Sequence, residues 1–456
     1  MTRPFILALF FSVLPLPAQP LPISTSYWKS EAFLKEFNGS YRINAAIEPA
    51  PTSAERGLLV EMQALMAEGQ RANTISKLSS SSLLKDSPLI QFNLANVYSE
   101  AGTLDQAIIY YQKAINNLPS FRRGHQNLAY AYYRNNEPLK AHEHLLEVVR
   151  LGGNEGSVHG LLGHCFLEKK QAEPALRSFR QALITQPENA EWQAGLAQAL
   201  QALNRPNEAL LLYEDLAQKS PENSGLQLQL ALTYYDLDQT EKAISLLEFL
   251  RRSGALESQY ELLLGTLLIG DQNLLIGAQT LKRVISAEDF KRSEEALNAV
   301  QYCLEQNHDG LALELHGLIK KDDLSAPGLV RFRRLQAQIL LQKTPNIPEG
   351  IAILKELISN DPTDSHSLYL LGQQQFIAQK PHDALLLLDQ AIHAGGTHSQ
   401  TARLTKVQVL VFLKRYTDTI KELDNYLKER PDEERVREYL EAIKRLHSAA
   451  TLSAAE

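Results

Sequence analysis

Cysteine is close to absent from this sequence, with Cys165 and Cys303 alone among 456 residues. Two thiols so far apart make no disulfide framework, and small buried apolar positions are their ordinary use. Tryptophan and methionine are also scarce, at two and three. No block of like charge stands out, and a formal net charge of −7 over this length leaves no basic footprint for nucleic acid. Beyond the first residues no apolar run reaches membrane-spanning length. Gly-rich phosphate loops, the G-x-S-x-G elbow and catalytic cysteine signatures are missing. What remains is 44% hydrophobic and 22% charged, the composition of a folded globular chain with no implied cofactor.

The opening "MTRPFILALFFSVLPLPAQP" reads as a secretory signal, residues 1–18. Arg3 gives the positive end, Phe5 to Leu14 the apolar core, and Ala18 the cleavage position. That core is too short to span a bilayer. The expectation is an exported chain, periplasmic or secreted, with no integral membrane segment once processed.

The body of the chain repeats. Five segments starting at Gln91, His125, His159, Gln193 and Gln227 align without a gap at a step of 34 residues. One column is Leu94, Leu128, Leu162, Leu196, Leu230. The next is Ala95, Ala129, Gly163, Ala197, Ala231, and a third is Ala107, Ala141, Ala175, Ala209, Ala243. Leu94, Ala95 and Tyr98 share one helical face; Ala107, Tyr111 and Ala114 share another. Between them Gly102 breaks the chain and Asp105 is the expected N-cap. Pro119, Pro187 and Pro221 close the second helices. The unit is a helical hairpin with small slots for close approach and bulky ones, such as Tyr132 and Tyr234, for filling.

This pattern resembles the tetratricopeptide repeat, W-x2-L-G-x2-Y, A-x3-F and P at a period of 34. Leu162, Gly163, Phe166, Ala175, Phe179 and Pro187 take its slots, with His159 in place of the Trp. The resemblance implies an all-α, right-handed superhelical solenoid of antiparallel helix pairs. It also implies a concave groove lined by first helices, used to bind a protein or peptide. The groove positions it assigns are Asn96, Tyr130, Tyr133, Arg134, His164, Glu168 and Tyr235, with Gln198 and Leu232 in the same column as His164. A carboxylate clamp for acidic C-termini is not expected. Asn96 and Asn127 occupy Asn slots, but Phe92, Ser157 and Leu161 stand where Lys and Arg belong.

The organisation follows from repeat strength. After the signal come an N-terminal helical segment with a divergent repeat at 19–87 and the five strict repeats at 88–257. Degenerate helical repeats at 258–328 mark a kink or a domain boundary. Three further repeats fill 329–432, and a capping helix and tail 433–456. In the first of these segments "TSYWKSEAFLKEFNGS" reads as a short helix capping the stack, and Thr52 with Glu55 as a capping box. At the other end Asp432 is the expected N-cap, and Val436, Tyr439, Leu440 and Ile443 form one apolar face.

Three short stretches mimic chemistry. His159, His164 and Cys165 lie together in sequence, yet a five-residue separation sets the imidazoles about 140° apart on a helix. "HEHLLE" at 142–147 is not H-E-x-x-H, and its histidines read as solvated helix surface. "DLDQTE" at 236–241 opens like a calcium loop but lacks its Gly and distal Glu, and the alignment makes it a turn. Asn38-Gly39-Ser40 is a sequon. No metal, cofactor or catalytic residue is assigned, and the chain is not expected to be an enzyme. The leading reading is an exported scaffold with a protein or peptide partner. Alternatives are a polysaccharide-binding or hydrolytic solenoid and a structural envelope spacer. Self-association stays open.

Overall fold

A computed structural model describes residues 23–31, 33 and 48–453. The signal segment 1–18 and the Asn38-Gly39-Ser40 sequon lie outside the described residues. Among those described, all regular structure is helical, and the chain divides into two compact units, 1–255 and 256–456.

The first unit holds six hairpins. They are α1 (Ser53–Ala67) with α2 (Arg71–Ser79), α3 (Pro88–Glu100) with α4 (Leu104–Asn117), and α5 (Arg122–Arg134) with α6 (Pro138–Arg150). Then come α7 (Gly156–Glu168) with α8 (Ala172–Thr185), α9 (Ala190–Ala202) with α10 (Pro206–Lys219), and α11 (Ser224–Asp236) with α12 (Thr240–Arg252). The second unit holds five more: α13 (Ser258–Gly270) with α14 (Leu274–Ile285), α15 (Ser293–Glu305) with α16 (Asp309–Leu318), and α17 (Ala326–Lys343) with α18 (Pro348–Asn360). α19 (Ser365–Ile377) with α20 (Pro381–Ala394), α21 (Ser399–Phe412) with α22 (Tyr416–Glu429), and a last helix α23 (Glu434–Ser453) complete it. Within each unit consecutive helices pack on one another, which makes a solenoid of the tetratricopeptide type.

The columns read from the sequence are the seams of these hairpins. Ala107, Ala141, Ala175, Ala209 and Ala243 are each 0% exposed, the fourth residue of every second helix in the strict block. Phe179 shows why small residues are needed beside them. A Cβ added at Gly163 would sit 2.7 Å from its ring, and one at Gly195 2.3 Å. Both glycines let one phenylalanine fill the space between successive hairpins. The helices ending at Asn117, Thr185 and Lys219 all stop two residues before a proline.

Each hairpin turn ends on a residue in the left-handed conformation. In the first unit these are Gly69, Gly102, Asn136, Lys170, Asn204 and Asp238, at φ between 56° and 79°. Asp238 therefore belongs to a turn, as the alignment implied. Such a residue lets the chain reverse while its N–H closes the preceding helix, and Gly and Asn bear it at least cost.

Several local details depart from the sequence reading. Helix α4 starts at Leu104, with Thr103 at its N-cap, so Asp105 lies inside the first turn, where its charge meets the positive helix end. The Thr52–Glu55 capping box is present, and the Glu55 carboxylate also accepts from Ser87, joining α1 to the start of α3. Tyr439 is 41% exposed while Val436, Leu440 and Ile443 are buried, so the face of α23 is narrower than expected. His142 and His144 are not the solvated surface expected: the first is buried and the second half-buried. His142 is buried edge-on against Phe166, and His144 stacks on Tyr132 with Nδ1 3.1 Å from His125 Nδ1.

Candidate functional site

The inner face of the first unit is built by α3, α5, α7 and α9, and much of its polar chemistry is used between hairpins. Asn96 Oδ1 accepts from Tyr111 Oη at 2.5 Å and from Asn127 Nδ2 at 2.9 Å. Arg134 Nη1 donates to Ser99 Oγ at 3.1 Å. Gln201 Nε2 donates to Thr233 Oγ1 at 2.9 Å. The Asn96–Asn127, Arg134–Ser99 and Gln201–Thr233 bonds cross from one hairpin to the next, so Asn96 and Arg134, two of the expected groove positions, act as rungs of a ladder. The same two asparagines that suggested a clamp bond to each other.

Further along, the face becomes aromatic. Tyr130 is buried, and its hydroxyl meets Ser157 Oγ and Gln126 Nε2, each at 2.8 Å. Tyr133 is half-buried, with its ring 6.3 Å from that of His164. His164 stands edge-on to Phe179 at 5.0 Å and lies 5.9 Å from Trp192. Burial holds its imidazole at about 3, so it is neutral at ordinary pH. Trp192 is fully buried, and its Nε1 donates to Gln186 Oε1 at 2.6 Å. A Cβ at Gly160 would lie 2.4 Å from the indole, so that glycine is the seat of the tryptophan. Glu168 is exposed and Tyr235 half-buried, the latter on α11.

The chain covers this face with a piece of itself. The described residues 23–31 and 33 include one short 3-10 turn, Tyr27–Lys29, are helical again at Glu31 and Phe33, and lie against the repeats at Trp192 and Tyr130. Ile23, Tyr27 and Phe33 are buried. The Tyr27 ring meets Trp192 at 5.1 Å, Phe33 meets Tyr130 at 5.5 Å and Trp28 lies 6.1 Å from Tyr133. The backbone N–H of Ser24 donates to Glu191 Oε1 at 3.4 Å. Beyond this segment Glu48, also buried, accepts from Arg123 Nε at 2.8 Å. Both tryptophans of the sequence thus fall in one aromatic cluster. Sequence reasoning placed Tyr130, Tyr133 and His164 on this face but missed Trp192 and the covering segment. The pairing of Trp192 with Gly160 was the available signal.

The pseudo-sites resolve physically. His159 is half-buried and shares a hydrogen bond with Asn154 Oδ1 at 2.8 Å, away from His164. Cys165 and Cys303 are fully buried free thiols, pushed by burial to about 12. Among the described residues no three His, Cys, Asp or Glu side chains gather as metal ligands, and no helix is long and apolar enough to cross a membrane.

Fold and face together define a helical-repeat scaffold, a class whose members are generally non-catalytic. Family models described as tetratricopeptide repeats match residues 90–117, 171–224 and 202–267, so this is a tetratricopeptide-repeat protein in those segments. No curated protein matches the chain. Among solved structures it is similar to YrrB, described as a tetratricopeptide-repeat protein with an unusual peptide-binding site. The identity is 21% over 36% of this chain and 84% of that one, at TM-score 0.33. It is similar to a tetratricopeptide-repeat protein from Parabacteroides merdae at 15% identity, over 57% of this chain and 98% of that one, TM-score 0.38. Yeast Tom70 is similar at 13% identity over 82% of this chain and 98% of that one, TM-score 0.35.

Proposed function

We propose that this chain is an exported scaffold that holds a protein or peptide on the inner face of its first unit and performs no chemistry itself. One observation carries the reading. The face of Tyr130, Tyr133, His164 and Trp192 already lodges a short stretch of the chain's own N-terminal region through aromatic contacts. Such rings offer large contact area at modest entropy cost, which suits recognition of a short segment. Export rests on the sequence of residues 1–18 alone.

Cross-linking in the native envelope fraction, followed by purification of the chain, tests the reading. The expected result is a recurrent protein partner whose cross-links fall on α5, α7 and α9 and weaken when Tyr133 is replaced by Ser. Recovery of no protein from either the envelope or the medium overturns it. A full-length chain kept in the cytoplasm, with residues 1–18 intact, overturns the export half independently.

A further inference from the structure

We propose that the aromatic face of the first unit recognises a short, aromatic-rich peptide of low charge, and that residues 23–31 with Phe33 hold this place in cis until such a peptide displaces them. This rests on the peptide-holding reading above and names its ligand.

The face is complete without the segment. Tyr130 is fixed by Ser157 and Gln126, and Trp192 by Gln186 and its seat at Gly160, all inside the repeats. The segment is held by short local bonds, Tyr27 N–H to Ser24 Oγ and Phe33 N–H to Ser30 Oγ, and by burial of Tyr27 and Phe33 against the surface beneath it. The relation is that of a ligand to a preformed site.

The contacts define the ligand's chemistry. Three aromatic side chains, Tyr27, Trp28 and Phe33, cluster with ring centroids 5.1 to 5.4 Å apart and meet Trp192, Tyr133 and Tyr130. Ser24 brings a main-chain donor to the Glu191 carboxylate. A peptide with carboxylates there would meet Glu191, with Glu168 also on this face. Serine-spaced aromatics fit and acidic tails do not.

The cis segment is also an imperfect occupant. His164 Nε2 and both amide atoms of Gln198 are buried with no hydrogen-bond partner among the described residues. Buried polar groups left unpaired are costly, so a ligand whose main chain reaches them gains what residues 23–33 forgo. Tethering compensates the segment, because linkage in one chain gives it an effective concentration on the order of millimolar. A weak cis occupant can therefore hold the face until a better one arrives.

The test uses the full chain and a fluorescent peptide of residues 21–33, LPISTSYWKSEAF. The expected result is binding at least ten-fold tighter to a Tyr27→Ser, Trp28→Ser, Phe33→Ser chain than to the unaltered chain. Adding Tyr133→Ser to that variant is expected to weaken binding five-fold or more, and a peptide with its three aromatics changed to serine is expected not to bind. If the triple variant loses helical circular dichroism, Trp28→Ser alone replaces it, at a half-buried position, with a gain of three-fold or more expected. Equal affinity for the altered and unaltered chains, or no binding to either, overturns the proposal. Failure of the cross-linking experiment leaves this result untouched, so the two readings fall separately.

Discussion

The two units use one hairpin in different ways. In the five strict hairpins of the first, the left-handed turn residue recurs at 102, 136, 170, 204 and 238, a constant step, and the fourth residue of each second helix is alanine. In the second, the turns fall at 272, 307, 346, 379 and 414, and the same helical position holds Gly277, Ala312, Ile351, Ala384 and Thr419. A constant step makes every seam alike, so packing is done by small columns repeated from one hairpin to the next. Where the step varies, each seam is solved separately. Gly277 brings α13 and α14 so close that an added Cβ would lie 2.7 Å from the Gly265 carbonyl oxygen. Charges are drawn in as well: Arg334 donates to Asp364 Oδ2 at 2.7 Å and to Ser367 Oγ at 3.2 Å, while Lys406 lies 2.6 Å from Asp389 and 2.5 Å from Glu422. Beside them the rings of His366 and His398 stack at 3.6 Å.

The sharpest way to break the comparison is to damage one unit's seam and watch the other. Phe179→Ala removes the ring shared by two hairpins and is expected to cost about 3–5 kcal/mol. Amide hydrogen exchange should rise across α7 to α10 while peptides of the second unit keep their protection. Equal loss in both units would refute separate packing. Asp364→Ala is the counterpart. It leaves the Arg334 guanidinium half-buried without its carboxylate, at an expected cost of about 3 kcal/mol. Exchange should then rise at α17 and α19 and leave α7 to α10 unchanged. Gly277→Ala comes next, at about 1–3 kcal/mol for a close helix pair forced apart. The same change at an exposed glycine such as Gly57, with nothing within 4 Å of its Cβ, should be neutral or stabilising.

How much of this was legible follows the same division. Leu94, Ala107 and their equivalents could be read because a fixed step repeats one packing problem, and each copy confirms the others. Tyr133 and Tyr235 could be separated from Tyr132 and Tyr234 for the same reason, and the structure leaves the first pair half-buried and buries the second. Asn96 and Arg134 were assigned to the groove from the repeat, but the repeat does not say whether a polar group is spent on a neighbour. That needs the distance from one hairpin to the next. His142 and His144 misled because spacing within a helix is silent about the helix packed against it. Residues 25–40 were read as a short helix capping the stack on local pattern, and Glu31 and Phe33 are helical, but that pattern does not say which surface they lie on. The partners of Phe33 and Tyr27, Tyr130 and Trp192, lie more than ninety residues away, and no periodicity connects them.

The finest contrast is in protons. Each unit buries histidine, but in different company. His164 is held at about 3 by burial among Phe179, Trp192 and Tyr133. His398 is held at about 4, first by burial and then by Arg334, with Asp364 opposing. Both folded values lie below the ordinary 6.5, so the unfolded chain takes up the proton first. The contribution is complete above about pH 6.5 and is lost as pH falls toward the folded values, on the order of 1–2 kcal/mol for each histidine by pH 5. His164→Gln should therefore flatten the acid dependence of exchange in α7 and α9 by about one proton, or about 1.4 kcal/mol per pH unit, and leave α19 and α21 unaltered. His398→Gln should do the reverse. In an Asp364→Ala chain the opposing carboxylate is gone, the His398 imidazolium is disfavoured further, and the histidine's own contribution continues to fall to lower pH. No substitution of a charged residue around His164 has that effect if burial alone sets its value. The same extension to lower pH in the first unit on Glu191→Gln would show that the carboxylate beside the aromatic face, rather than burial, governs its proton.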